Sequence, residues 1–223
     1  MDFPDTKKYV EKIVDEPADI WDLIRYAQIG RNMNNVTHEV NNLLGAVLAY
    51  SELVQMNENV SDESNRMLDE VKNAVEKSTR ILGTLTTVAR QEKDHQNACA
   101  VDELLVNTLE LYEFELKRNR VAVDGNYTEF SHTLVINNAW LQRSIMYLIS
   151  EALALVLKSP TKLIRIHVDN TPDSCALYFL PRGCDFQSTG DSVNVGMARE
   201  MAALVDAKVI IDSEKGYGLL LNG

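Results

Sequence analysis

The sequence predicts an α+β protein, an N-terminal helical hairpin followed by an α/β sandwich. Two observations carry the prediction. An apolar row stepping by four and three residues runs through residues 29–54 and returns after a polar break, as a pair of long helices requires. Past residue 95 the texture changes to short alternating runs interleaved with amphipathic stretches, the mark of strands layered on helices.

The first helix is marked by Ile29, Met33, Val36, Val40, Leu43, Val47, Tyr50 and Val54, a heptad seam. The stretch "NENVSDES" breaks it, with Ser61 placed as an N-cap and Asp62 and Glu63 set against the new helix dipole. The second helix repeats the rule through Met67, Val71, Ala74, Ser78, Ile81, Leu85 and Val88, and a further row, Leu68, Val75, Leu82 and Ala89, runs beside it. Each stripe is wider than one partner helix covers. Pairing two hairpins into a four-helix bundle, by homodimerisation, would bury both. A monomeric bundle that recruits other helices of the chain is the alternative.

Three segments result: a short N-terminal segment (1–17) with a possible small helix over 3–16, the hairpin (18–94), and the α/β domain (95–223). The polar linker "RQEKDHQNA" separates the last two. In the α/β domain "VDELLVNTLELYEFELKRN" reads as an amphipathic helix and "RVAVDGNY" as a strand. "AWLQRSIMYLISEALALVLK" is apolar all round and reads as a buried helix. Then "KLIRIHVD" and "CALYFL" are strands, "VNVGMAREMAALVD" a helix, and "AKVIIDS" with "YGLLL" a closing hairpin. The longest apolar run, "SIMYLISEALALVL", is short for a bilayer span and carries Glu151, so no membrane is expected as a partner.

Composition narrows the function. A formal net charge of −11 leaves no electrostatic footprint for nucleic acid, and "KRNR" (117–120) reads as a solvated helix end. The cysteines, Cys99, Cys175 and Cys184, number three, lie far apart and form no CxxC pair, which fits reduced thiols in a cytoplasm. The start "MDFPDTKK" lacks the plan of a signal peptide, so a cytoplasmic location is expected.

One residue breaks the apolar logic of the first helix. With Val36 and Val40 facing inward, His38 falls at the heptad position furthest from the bundle axis, in an outer row with Arg31, Gly45 and Glu52. Gly45 clears space beside the ring, although glycine costs a helix about 1 kcal/mol relative to alanine. A metal ligand would need converging partners, and none is evident. An ordinary solvated histidine is the plain alternative. Glu39 flanks the ring, however, and Asn42 lies one turn on along the same face. An exposed imidazole keeps a free nitrogen at neutral pH, a carboxylate can orient or accept its other proton, and an amide can hold a water or a phosphoryl oxygen. His95, His132 and His167 offer no comparable neighbours: the first sits in the linker, the second at a strand start, the third on a solvent-facing strand position.

The run "IGRNMNNVTHEVNNLLGAVLAYSELV" resembles the phosphoacceptor helix of two-component sensor histidine kinases, whose pattern is H-E-[IV]-N-N-P-L. His38, Glu39, Val40, Asn41, Asn42 and Leu44 match, while Leu43 replaces the proline that normally kinks that helix. The resemblance implies that His38 carries a phosphoryl group, that Glu39 assists its transfer, and that Glu39 with Asn42 forms a dephosphorylation motif. The second half resembles the family's ATPase-like domain with its boxes damaged. Tyr147, Glu151 and Ala154 replace the two asparagines and the acidic or basic residue of the first box. In "FLPRG" Gly183 survives without the aspartate that receives adenine, and Ser192 and Asn194 replace phosphate-loop glycines. Glu151 and a displaced Asp185 are the residues that could rescue such a site. The resemblance thus implies a histidine phosphotransfer protein that binds no cofactor itself. Its partners would be response-regulator receiver domains, which bring the aspartate and Mg²⁺, and a second copy of the chain. In plan this resembles a two-domain phosphotransferase of a phosphorelay. Regulator phosphatase activity, a divergent but active kinase and a non-catalytic scaffold remain open.

Overall fold

The computed structural model describes residues 17–56, 60–89, 96–127, 130–171, 174–186 and 192–222. The small helix expected over 3–16 and the linker histidine His95 lie outside them. The chain divides into two compact units, one spanning Asp22–Gln91 and the other taking the rest.

The first unit is an antiparallel pair of helices, α1 (Pro17–Gln55) and α2 (Asp62–Ala89). Ser61 caps α2 as its sequence demands: its Oγ accepts from the backbone N–H of Ser64 at 3.2 Å. Two bonds fix the register between the helices. The hydroxyls of Thr37 and Thr86 share a hydrogen bond of 2.8 Å, and Gln55 Nε2 donates to Asp69 Oδ1 at 2.9 Å.

The row that closes this hairpin on α1 is not the heptad seam. It is Thr37, Asn41, Leu44, Leu48, Ser51 and Gln55, displaced one position around the helix and buried or half-buried throughout. On α2 the closing row includes the second apolar row, with Val75 buried and Leu68 and Leu82 half-buried. The seam is left outside: Val36, Leu43 (64% exposed), Val47, Tyr50 (69%) and Val54 on α1, with Met67 and Val71 on α2. A helix turns about 100° per residue, so the two rows on α1 diverge by roughly that angle.

The second unit holds β1 (Asn97–Ala100), α3 (Val101–Asn119), β2 (Ala122–Gly125), β3 (Thr133–Ile136), α4 (Asn138–Leu157), β4 (Leu163–Thr171), β5 (Ser174–Pro181), α5 (Val193–Ala203), β6 (Lys208–Asp212) and β7 (Gly216–Asn222). Five strands form one sheet in the order β2-β4-β5-β7-β6, and β1 pairs with β3 in a separate two-stranded ribbon. Strand β2 runs parallel to its neighbour β4; the other pairs of the sheet are antiparallel. Strand β1 begins inside the stretch read as a linker. Four residues of "NACA" carry no alternation of their own, and pairing with β3 makes them a strand.

Alternation sets the two sides of the sheet. Ile164, Ile166 and Val168 of β4, Leu177 and Phe179 of β5, and Tyr217, Leu219 and Leu221 of β7 are buried toward the helices. The layer opposite is α4, whose Leu141, Ile145, Leu148, Ile149, Ala152 and Val156 are almost wholly buried. The helix runs for 20 residues, so in length and composition it could cross a membrane, contrary to the reading of its apolar core as short. The burial of these side chains within the unit marks it as a core helix. Gly216 opens β7 at φ +91°, where a Cβ would stand 2.3 Å from the carbonyl oxygen of Phe179; only glycine fits.

Candidate functional site

Helix α1 carries His38, Glu39 and Asn42, and all three are exposed. His38 follows Thr37, the residue bonded across to Thr86, so the backbone beneath the imidazole is tied to α2 by a buried pair of hydroxyls. Asn42 lies one turn on, on the same face as His38, while Glu39 is rotated toward the seam. The histidine thus stands on neither the closing row nor the apolar row. Gly45, in its row, has open space around it, and so does Gly83 on α2: a Cβ built at either would meet nothing within 4 Å. Leu43, where the resembled pattern has proline, is an exposed seam residue within an unbroken helix.

In the α/β unit the residues that differ from the resembled boxes lie in different surroundings. Glu151 of α4 is buried to 6% exposure, and its Oε2 accepts from Asn194 Nδ2 at 3.1 Å. Ser192 is the N-cap of α5, its Oγ accepting from the backbone N–H of Val195 at 3.2 Å. Tyr147 is half-buried, and burial pushes its phenol above the ordinary value against the opposing pull of Arg143. Ala154 and Asp185 are exposed. Gly183 has φ +71°, and a Cβ there would stand 2.9 Å from Thr161 Oγ1 and 3.0 Å from Ser159 Oγ. Phe186 is buried with its ring 5.8 Å from that of Tyr217.

The outer face of the sheet carries a polar cluster that sequence reading passed over. Asp169 bonds His167 Nε2 at 2.6 Å through one oxygen and accepts from Lys215 Nζ at 2.6 Å through the other. Lys215 also stands 5.0 Å from the centre of the Tyr178 ring. The Lys215 ammonium holds the Asp169 carboxyl below the usual carboxylate range. The spacing His167-x-Asp169 on one strand face was the available signal; Lys215 comes from 46 residues away and gave none.

His132 is buried, and its backbone carbonyl accepts from Val101 N–H at 2.8 Å. The three cysteines form no disulfide. Burial first, and nearby acids second, push the thiols of Cys99 and Cys175 up to about 11, which keeps them protonated and unreactive at neutral pH. Among the described residues no group of three or more His, Cys, Asp and Glu is placed to hold a metal ion.

A two-helix hairpin bearing an exposed histidine, followed by an α/β sandwich, is therefore the architecture of this chain. No family model matches the sequence. Among solved structures the chain is similar to the Acinetobacter baumannii histidine kinase AdeS, at 10% sequence identity and a TM-score of 0.48, covering 81% of this chain and 93% of that one. It is also similar to full-length ShkA in complex with AMPPNP, at 11% identity and a TM-score of 0.42, covering 86% of this chain and 44% of that one.

Proposed function

We propose that this chain is a homodimeric, cytoplasmic histidine phosphotransfer protein that exchanges phosphoryl groups between His38 and the aspartates of response-regulator receiver domains. One observation carries the reading: His38, Glu39 and Asn42 are exposed together on α1, on a part of its surface that neither closes the hairpin nor bears the apolar row. The unprotonated ring nitrogen of His38 attacks the phosphorus of a receiver's aspartyl phosphate. A P–N bond forms, the P–O bond to aspartate breaks, and the carboxylate leaves. The reverse step returns the group to a second receiver. Such transfers pass through a loose transition state and depend on alignment and charge neutralisation, which the receiver's Mg²⁺ supplies. This chain contributes a fixed imidazole, the carboxylate of Glu39 to orient it, and Asn42 to hold a phosphoryl oxygen or a water.

The buried Glu151–Asn194 bond supports a partner, rather than a nucleotide, as the source of the phosphoryl group. The exposed seam supports the homodimer. A large aliphatic side chain gains about 1.5–3 kcal/mol on full burial, so a row of them left in water favours association strongly. Three cysteines without a disulfide fit a reducing cytoplasm.

The test is direct. Incubated with phosphorylated receiver domains, the protein should acquire acid-labile label on His38, and His38→Ala should acquire none. Label arriving on His38 from γ-labelled Mg-ATP, with none from any receiver, would establish the kinase alternative instead.

A further inference from the structure

Thr37 and Asn41 lead the closing row of α1, and the first leucine of that row, Leu44, comes two turns below Thr37. At the level of His38 the hairpin therefore closes through polar side chains. The Gln55–Asp69 bond lies about 27 Å further along α1, too far to fix the rotation of this end. The bond between Thr37 and Thr86, at 2.8 Å, is in the right place. Both residues are buried, and Thr37 is the immediate neighbour of His38.

Thr86 does not need Thr37 in order to be buried. In the second half of α2 every hydroxyl donates to the carbonyl one turn back: Ser78 to Ala74, Thr79 to Val75, Thr84 to Arg80, Thr86 to Leu82 and Thr87 to Gly83, at 2.8–3.1 Å. Thr84 is buried to the same degree as Thr86, and its bond to Arg80 serves its hydroxyl. Thr86 reaches across the hairpin as well. A hydroxyl has one proton and two acceptor lone pairs. Thr86 can donate to Leu82 and accept from Thr37, or donate to Thr37 and leave the Leu82 carbonyl to the helix ladder. Either arrangement keeps the bond between the helices.

The lever arm shows what the bond is worth to the imidazole. A side chain at the outer radius of a helix, about 5–6 Å from the axis, moves about 1 Å for every 10° that the helix turns. A misplacement of that size can cost a transfer reaction about 10²-fold. We propose that Thr86 is a positioning residue for phosphoryl transfer at His38, acting through Thr37 to set the rotation of α1. The inference deepens the reading of His38 as the phosphoacceptor and rests on it.

The experiment is single-turnover transfer from phosphorylated receiver domains to the full chain, below the melting temperature of every variant. Varying the receiver concentration separates the maximal rate from the half-saturating concentration. Thr86→Val keeps the shape and deletes the hydroxyl. Its maximal rate should fall about 10–100-fold with half-saturation unchanged, and Thr86→Ser should restore the rate to within about threefold. Thr37→Val should reproduce the loss from the other side of the bond, and it takes over the test should Thr86→Val not fold. The double variant should be no slower than either single one, because one bond is removed in all three. A valine variant that melts lower but transfers at the parent's rate has lost only a structural contact, and that result overturns the proposal. So do additive losses in the double variant, or a serine variant as slow as the valine one. A parent that takes no label from any receiver overturns the phosphoacceptor reading and this inference with it, whereas a labelled parent matched by its valine variants overturns this inference alone.

Discussion

His38, exposed, and Asp169, half-buried, are both polar residues on regular elements, and they differ in what holds them. His38 is positioned by its helix and by the Thr37–Thr86 bond that ties that helix to α2. Replacing it with alanine should leave stability within about 0.5 kcal/mol, as for other surface sites, while receiver-dependent labelling vanishes for want of a nitrogen. Glu39→Gln keeps the shape and should slow transfer by roughly 10²–10⁴-fold with little change in receiver binding; single-turnover phosphotransfer separates the two. Asp169 is positioned by its partners. Its carboxyl lies below the usual range first because Lys215 donates to it, and further because His167 does. A group whose folded pKa is depressed stabilises the fold above its unfolded value, and the contribution is lost as pH falls through the folded one. Asp169→Asn should therefore cost a little stability at neutral pH and progressively less in acid. Parallel stability curves for parent and variant across the carboxylate range would disprove the tie.

At the scale of elements, α1 divides its circumference among three tasks. One row closes the hairpin with polar side chains around two leucines, Leu44 and Leu48; a second presents large apolar ones; the outer row carries His38 and Gly45. Only the apolar row was legible as a heptad repeat. The closing row escaped because threonine, asparagine, serine and glutamine interrupt its leucines and do not register in an apolar pattern. A 2.8 Å bond between Thr37 and Thr86 nonetheless binds the helices as definitely as a leucine contact. The glycines of the hairpin make a prediction at this scale. Gly45 and Gly83 sit inside helices, and a methyl group placed at either would have nothing within 4 Å. Gly45→Ala and Gly83→Ala should each raise hairpin stability by up to about 1 kcal/mol, read from urea unfolding. A loss of stability at either would mean that another surface packs closely there.

At the scale of the whole molecule, the exposed seam is what the proposed homodimer rests on. Val36, Leu43, Val47, Tyr50 and Val54 are exposed in the single chain together with Met67 and Val71. The proposed homodimer buries them, so Val47→Asp should place a charge in an apolar interior at a cost of several kcal/mol and yield a monomer or an unfolded hairpin by sedimentation. A variant that sediments as a stable dimer would show that the seam is not the interface.

The sequence by itself determined helices α1 to α5, the Ser61 cap of α2, the strands β2, β4, β5, β6 and β7 and the exposure of His38, because each follows from periodicity or from residues within a turn of one another. It also showed which positions differ from the boxes of the family it resembles, since identity is a property of the chain. The tertiary structure alone decided which row of α1 closes the hairpin, that "NACA" is a strand, that β2 lies parallel beside β4, and that Lys215 reaches Asp169. It alone decided that Glu151 is buried against Asn194, 43 residues away. These are pairings between distant segments, and their energy comes from burial and hydrogen bonds made only once the chain has folded, so no local pattern encodes them.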